Sequence, residues 1–213
     1  MKTRKTTTLI FLIDTSGSMR DQKISSVNAA LTECMEVLNK KRLQSDEQLT
    51  VGYITFSNKM DPVVWCKQLI PPNLYIKPNK DGFYSIASFK CLYDGLYDFL
   101  NSAGYLGQLY IILLTDGKAT ERRREYDESF ERINSLNAFR NARRYAAIVD
   151  IDTDKGLAEN VADNDILEFL SGNDAKKRFK LVNLSEEISK LYLFEEDGDD
   201  AGKKKQIASI FGD

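Results

Sequence analysis

Three short oxygen-bearing side chains stand at alternate positions, Asp14, Ser16 and Ser18, in the string Asp14-Thr15-Ser16-Gly17-Ser18-Met19. This string directly follows the apolar run Leu9-Ile-Phe-Leu-Ile13. One carboxylate and two hydroxyls in a tight turn, with Gly17 permitting the bend, are hard donors that suit Mg2+, Mn2+ or Ca2+ rather than a soft metal. A second carboxylate, Asp116, ends another apolar run in Leu113-Leu-Thr-Asp-Gly117. The chain contains no histidine. Ser-His-Asp and Cys-His catalysis, histidine acid–base chemistry and any histidine-bearing zinc or iron site are therefore excluded within this chain. Cys34, Cys66 and Cys91 are far apart and form no CxxC pair, which predicts reduced thiols rather than a disulfide framework or a zinc ribbon.

An acid at the end of an apolar run needs a strand to place it. Thr8–Ile13 lacks polar alternation, as a central strand covered on both faces does. Ile24, Val27, Leu31, Cys34, Met35 and Leu38 then mark one face of a helix over about residues 25–41. Leu49–Phe56 and Asp61–Trp65, separated by the Ser57-Asn58-Lys59 turn, predict a hairpin with Pro62 on an edge strand. Residues 66–87 hold three prolines and Gly82 and predict a long loop. Further helices are predicted over residues 91–102, 121–137, 157–170 and 185–194, the last with Ser185 as its N-cap. Further strands are predicted over residues 108–115, 145–151 and 179–182.

This order implies an α/β fold: a Rossmann-like, doubly wound, mostly parallel sheet with one antiparallel edge strand and helices on both faces. In such a sheet ligands bind outside the carboxyl ends of strands near the switch point, which is where Asp14 and Asp116 fall.

A chain of 213 residues fits one such domain. A formal net charge of −2 argues against a general nucleic-acid or membrane-surface role. The basic N-terminus is followed by an apolar run too short for a signal-peptide core or a membrane span, so a cytoplasmic protein is expected. Residues 195–213 differ in composition, with Glu195–Asp200 acidic and Lys203–Lys205 basic. The acidic cluster does not follow the EF-hand ligand order, and residues 195–213 are expected to be a charged tail after a domain spanning 1–194.

The D-x-S-x-S string after an apolar strand, the Thr115-Asp116-Gly117 string about a hundred residues later and the elements between them resemble a von Willebrand factor A domain with its metal-ion-dependent adhesion site. Leu12–Met19 and the Val27-Asn-Ala-Ala-Leu31 helix look most like the small bacterial TerY-like proteins of tellurium-resistance and stress gene clusters. The resemblance implies a binding module. Asp14, Ser16, Ser18 and Asp116 would hold the metal, expected to be Mg2+ or alternatively Mn2+ or Ca2+, directly or through water. A partner protein's Asp or Glu would complete the coordination.

The chain departs from the family pattern at one ligand. The family places a Thr where this chain has Lys90, within Ala87-Ser-Phe-Lys-Cys91. Either Ser88 supplies the hydroxyl through a two-residue shift, or the ligand is missing and the Lys90 ammonium lies near Asp14 and Asp116, partly neutralising them. Lys118 and Arg122–Arg124 follow the second acid. They either steer an acidic or phosphorylated partner segment or form an exposed helix face paired with Glu121, Glu125, Asp127 and Glu128. Tyr53, Tyr75, Tyr84, Tyr93 and Tyr97 read as core and loop packing.

Catalysis is the weaker alternative. A metal-dependent phosphotransferase of this topology would be expected to carry D-x-D where this chain has Asp14-Thr15-Ser16, and no GxxxxGK(S/T) phosphate loop is present. A structural scaffold with a metal-free site is the third class.

Overall fold

The computed structural model describes residues 6–43, 48–104, 106–117, 122–149, 169–170 and 178–191. Strand β1 (Thr6–Asp14) is buried along both faces from Thr7 onward. It lies between two parallel neighbours, β2 (Gln48–Phe56) and β4 (Gln108–Thr115). Beyond β2 runs the short antiparallel β3 (Val64–Trp65); beyond β4 run β5 (Arg143–Ile148) and β6 (Arg178–Lys180), both parallel. The sheet order is β3-β2-β1-β4-β5-β6.

The pleat divides β1 between two cores. Leu9, Phe11 and Ile13 pack with Val27, Leu31 and Leu38 of α1 (Gln22–Leu43) and with Leu184 and Ile188 of α5 (Leu184–Lys190). Ile10 and Leu12 pack on the other side with Leu92 and Leu96 of α2 (Phe89–Ser102), Tyr126 and Ile133 of α3 (Arg123–Asn134), and Phe139 of α4 (Asn137–Asn141). Helices on both faces explain why β1 and β4 read as continuous apolar runs. The chain leaves β1 toward β2 and returns through α2 to β4 on the other side of β1. The switch point therefore falls between β1 and β4, and their carboxyl ends carry Asp14 and Asp116.

The doubly wound α/β sheet and its antiparallel edge are as the residue pattern implies, with differences at element ends. The helix expected over residues 121–137 is two helices, because Leu136 is extended (φ −77°, ψ 127°) between α3 and α4. The break seats Phe139 in the core. Ser185 is not the cap of α5, whose N-cap is Asn183; the Ser185 hydroxyl instead donates to Glu33. Most of the helix expected over 157–170, the end of the strand expected over 145–151 and the tail from 195 onward lie outside the described residues.

Arg144 was not anticipated in the core. It is buried, and it donates to the backbone carbonyls of Phe139 and Phe169. Burial brings its guanidinium pKa down to about 10.

Leu113, on β4, is fully buried in the core on the α2–α3 side of the sheet. Leu113→Ala is expected to lower unfolding free energy by about 2–5 kcal/mol, measured by urea denaturation. A loss below about 1 kcal/mol would show that this core is loosely packed.

Candidate metal and partner site

The site begins with a buried carboxylate. Asp14 ends β1 with no exposed surface. Its Oδ1 accepts from the Ser16 backbone N–H at 2.8 Å, and its Oδ2 accepts from the Thr115 hydroxyl at 2.8 Å. Thr115 is held in turn, because its Oγ1 accepts from the Gly117 N–H at 3.1 Å. Gly117 adopts φ +112°, a left-handed conformation that favours glycine, so the Thr-Asp-Gly string requires glycine at its end. Burial holds the Asp14 carboxyl above the ordinary carboxylate range, despite the hydrogen bonds from Ser16 and Thr115 that pull the other way; the nearby Asp116 charge adds to the rise.

From Asp14 the oxygens continue outward. The hydroxyls of Ser16 and Ser18 lie 3.0 Å apart, and Ser18 donates to Asp116 Oδ1 at 3.1 Å. Adjacent ligands of an octahedral Mg2+, each at about 2.1 Å, stand about 3 Å apart, so this spacing fits a small hard cation. Among the described residues no three Asp, Glu, His or Cys side chains gather into a metal-binding group. The cluster here is two carboxylates and two hydroxyls.

The structure brings Asp14, Ser16, Ser18 and Asp116 together, along with a residue that spacing did not reveal. Lys23, in the first turn of α1, places its Nζ 2.6 Å from Asp116 Oδ2, with both side chains largely buried. No sequence signal marked it, because the helix was expected from about residue 25; Lys23 becomes a first-turn cation, disfavoured by the helix dipole, only with the start at Gln22.

A cleft of about 680 Å³ opens beside these groups. It is lined by Ser16, Ser18, Arg20, Lys23 and Asp116 and by the Tyr84–Ala87 segment. Tyr84 was expected to serve only packing, yet it forms part of this wall and lies under the Arg20 guanidinium, 5.0 Å from its ring centre.

Gly17 is required by the close approach of a neighbouring loop rather than by the bend alone. Its N–H donates to Ser85 O at 2.8 Å, and a Cβ there would stand 2.5 Å from Tyr84 Cβ. A glycine is needed because the loop passes so close.

Ser88 and Lys90 are engaged within α2. Ser88 is the N-cap, its hydroxyl accepting from the Cys91 N–H at 3.2 Å, and Lys90 pairs with Asp94 at 2.6 Å. Arg122 is exposed ahead of α3, whose Arg123 and Arg124 pair with Asp127 and Glu128. Lys118 lies outside the described residues. All three cysteines are free, and burial pushes the Cys34 thiol up to about 12 and Cys66 up to about 11, so both are inert thiols at neutral pH.

Residues 8–80 match the family model of the von Willebrand factor type A domain. The fold is the A-domain fold. Among solved structures it is similar to the pilus adhesin SpaC of Lactobacillus rhamnosus GG in its open conformation, with a TM-score of 0.56 and 11% identity over 88% of this chain and 30% of that one. It is also similar to a von Willebrand factor type A protein of Catenulispora acidiphila, with a TM-score of 0.53 and 12% identity over 87% of this chain and 41% of that one. The conserved hypothetical protein BatB of Bacteroides thetaiotaomicron matches with a TM-score of 0.51 and 15% identity over 86% of this chain and 98% of that one. These identities establish the A-domain fold alone. This chain spans well under half the length of the first two proteins. No curated protein matches the chain in sequence.

Two outcomes follow from the A-domain rim. Because the raised Asp14 pKa lets the folded state bind a proton that the unfolded state has released, this group's contribution falls as pH rises through that window. With a chelator present, Asp14→Asn should therefore be more stable than wild type at neutral pH and lose that advantage in acid, read from urea midpoints. Gly17→Ala should cost about 1–3 kcal/mol by the same measurement, since Tyr84 and its loop must retreat.

Proposed function

We propose that this protein is a non-enzymatic interaction module whose A-domain rim recognises an acidic group on a protein partner through a bound divalent cation. The observation that carries this reading is the convergence of Asp14, Ser16, Ser18 and Asp116 at the switch point, with the Ser16, Ser18 and Asp116 oxygens following one another at 3.0 and 3.1 Å. Mg2+ or Mn2+ held there would act as a Lewis acid for an incoming carboxylate. Asp14 contributes its charge from below the surface, fixed by Ser16 and Thr115. Ser16 and Ser18 present neutral oxygens, which keeps the protein's own charge at the site low.

Arg20 and Lys23 line the same cleft and favour an anionic visitor, a carboxylate or a phosphorylated segment. Phe83 and Ile86, 70% and 60% exposed on the neighbouring loop, offer an apolar shelf for side chains flanking that acid. Both oxygens of Asp14 accept hydrogen bonds, and Asp116 sits between Ser18 and Lys23. Among the described cleft residues no further carboxylate remains to serve as a general base, which favours binding over catalysis.

A bacterial stress-response or tellurium-resistance assembly in the cytoplasm is the proposed setting, supported by the Leu12–Met19 string and the Val27–Leu31 stretch of α1. Among the described residues no helix is long and apolar enough to cross a membrane.

One observation favours a second reading, a metal-free scaffold: the Lys23 ammonium already neutralises Asp116. A metal titration separates the two. In the first reading Mg2+ or Mn2+ raises the melting temperature of wild type, by about 2.7 kcal/mol of stability at a hundredfold excess over Kd, and Asp14→Ala and Ser18→Ala lose the response. A wild-type protein indifferent to both metals by calorimetry supports the scaffold.

A further inference from the structure

Asp116 divides its two oxygens between different kinds of donor. Oδ1 faces the hydroxyl row, accepting from Ser18, which in turn lies 3.0 Å from the Ser16 hydroxyl. Oδ2 receives the Lys23 ammonium at 2.6 Å. The Lys23 side chain is 23% exposed and that of Asp116 14%, so the pair is shielded well beyond an ordinary surface ion pair. Its placement is also built. Asp21, in the left-handed region at φ +60°, turns the chain into α1 two residues before Lys23. That turn puts a cation at the helix end where the backbone dipole disfavours it, and Asp116 supplies the compensation.

The local charge balance gives this pair a consequence. Asp14 and Asp116 together bring two negative charges to the site, and Lys23 brings one positive charge to the more accessible of the two acids. A divalent cation beside Ser16 and Ser18 would share Asp116 with that ammonium and be repelled by it across a partly desolvated gap.

We propose that Lys23 is a built-in competitor for the cation site: its ammonium stands in for metal at Asp116 and sets the affinity for divalent ions well below what the oxygen donors alone would give. Lys23 is thus an affinity-determining residue, acting through Asp116. The inference rests on the metal-site reading above, and it makes that reading and the scaffold reading two settings of one device. With Lys23 on Asp116 the rim is charge-compensated and closed to metal. With Lys23 withdrawn, Asp116 is available to metal, and the ammonium remains in the cleft beside Arg20 as counter-charge for an acidic partner.

The test is Mn2+ and Mg2+ binding to the full chain by calorimetry, for wild type, Lys23→Met, Lys23→Gln and Lys23→Arg. Met keeps the apolar stem, Gln keeps a neutral hydrogen-bond donor and Arg keeps the charge. Melting temperatures with and without metal serve as an independent readout and as the folding control. Lys23→Met and Lys23→Gln are expected to bind metal on the order of tenfold or more tightly than wild type and to gain more in melting temperature from it, while Lys23→Arg stays near wild type. Should Lys23→Met fail to fold without metal, Lys23→Gln carries the comparison. A wild type blind to metal alongside a responsive Lys23→Met would support the proposal in its strongest form. Metal binding by wild type with unchanged or weaker affinity in both neutral variants would overturn the competitor role and leave the metal site standing. No metal binding by any of the four proteins would overturn both.

Discussion

The rim depends on one electrostatic constraint: a carboxylate with no exposed surface at the end of a central strand. A charge in that position is costly unless donors meet it, and Asp14 receives one from its own turn and one from the neighbouring strand. The second donor, Thr115, ties the site to the sheet. Its hydroxyl reaches Asp14 only because β4 lies beside β1 in parallel register, with Ile13 opposite Leu114. The topology that places β4 next to β1 therefore also makes the buried acid tolerable. The residual cost remains visible as a carboxyl that burial holds above its ordinary range.

The outer half of the rim is governed by proximity. The 66–87 segment has little regular structure, yet its Tyr84–Ala87 stretch comes close enough to the Ser16–Ser18 turn that residue 17 must lack a side chain. One backbone hydrogen bond, Gly17 N–H to Ser85 O, fixes this approach. The loop consequently has two roles: it forms one wall of the cleft, and it carries Phe83, Tyr84 and Ile86 to the surface beside the oxygen donors. Polar oxygens and exposed apolar side chains are brought side by side by a single close approach.

Much of this organisation was legible in the residues. The strands β1 and β4 announce themselves as apolar runs because both faces are covered, and the helical period of α1 follows from its single buried stripe. The turn Asp14–Ser18 and the Asp116 partner could be named because strand ends at a switch point are where a doubly wound sheet binds. The division of the charged helix into α3 and α4 was not legible, since the break at Leu136 serves the packing of Phe139 rather than any local turn signal. Lys90 shows the limit in another way. It stands where the family pattern has a threonine, and its ammonium pairs with Asp94, one turn further along its own helix.

The amino-acid sequence alone determined the fold class and placed Asp14, Ser16, Ser18 and Asp116 at the carboxyl ends of two central strands, because period and strand-end position are local properties. Only the tertiary structure decided which cation faces Asp116, what closes over Gly17 and which hydroxyl supports Asp14. Lys23 lies 93 residues from Asp116, Tyr84 lies 67 residues from Gly17 and Thr115 lies 101 residues from Asp14. Contacts across such separations are set by the sheet order and by the path of the loop, and no periodicity in the chain encodes them.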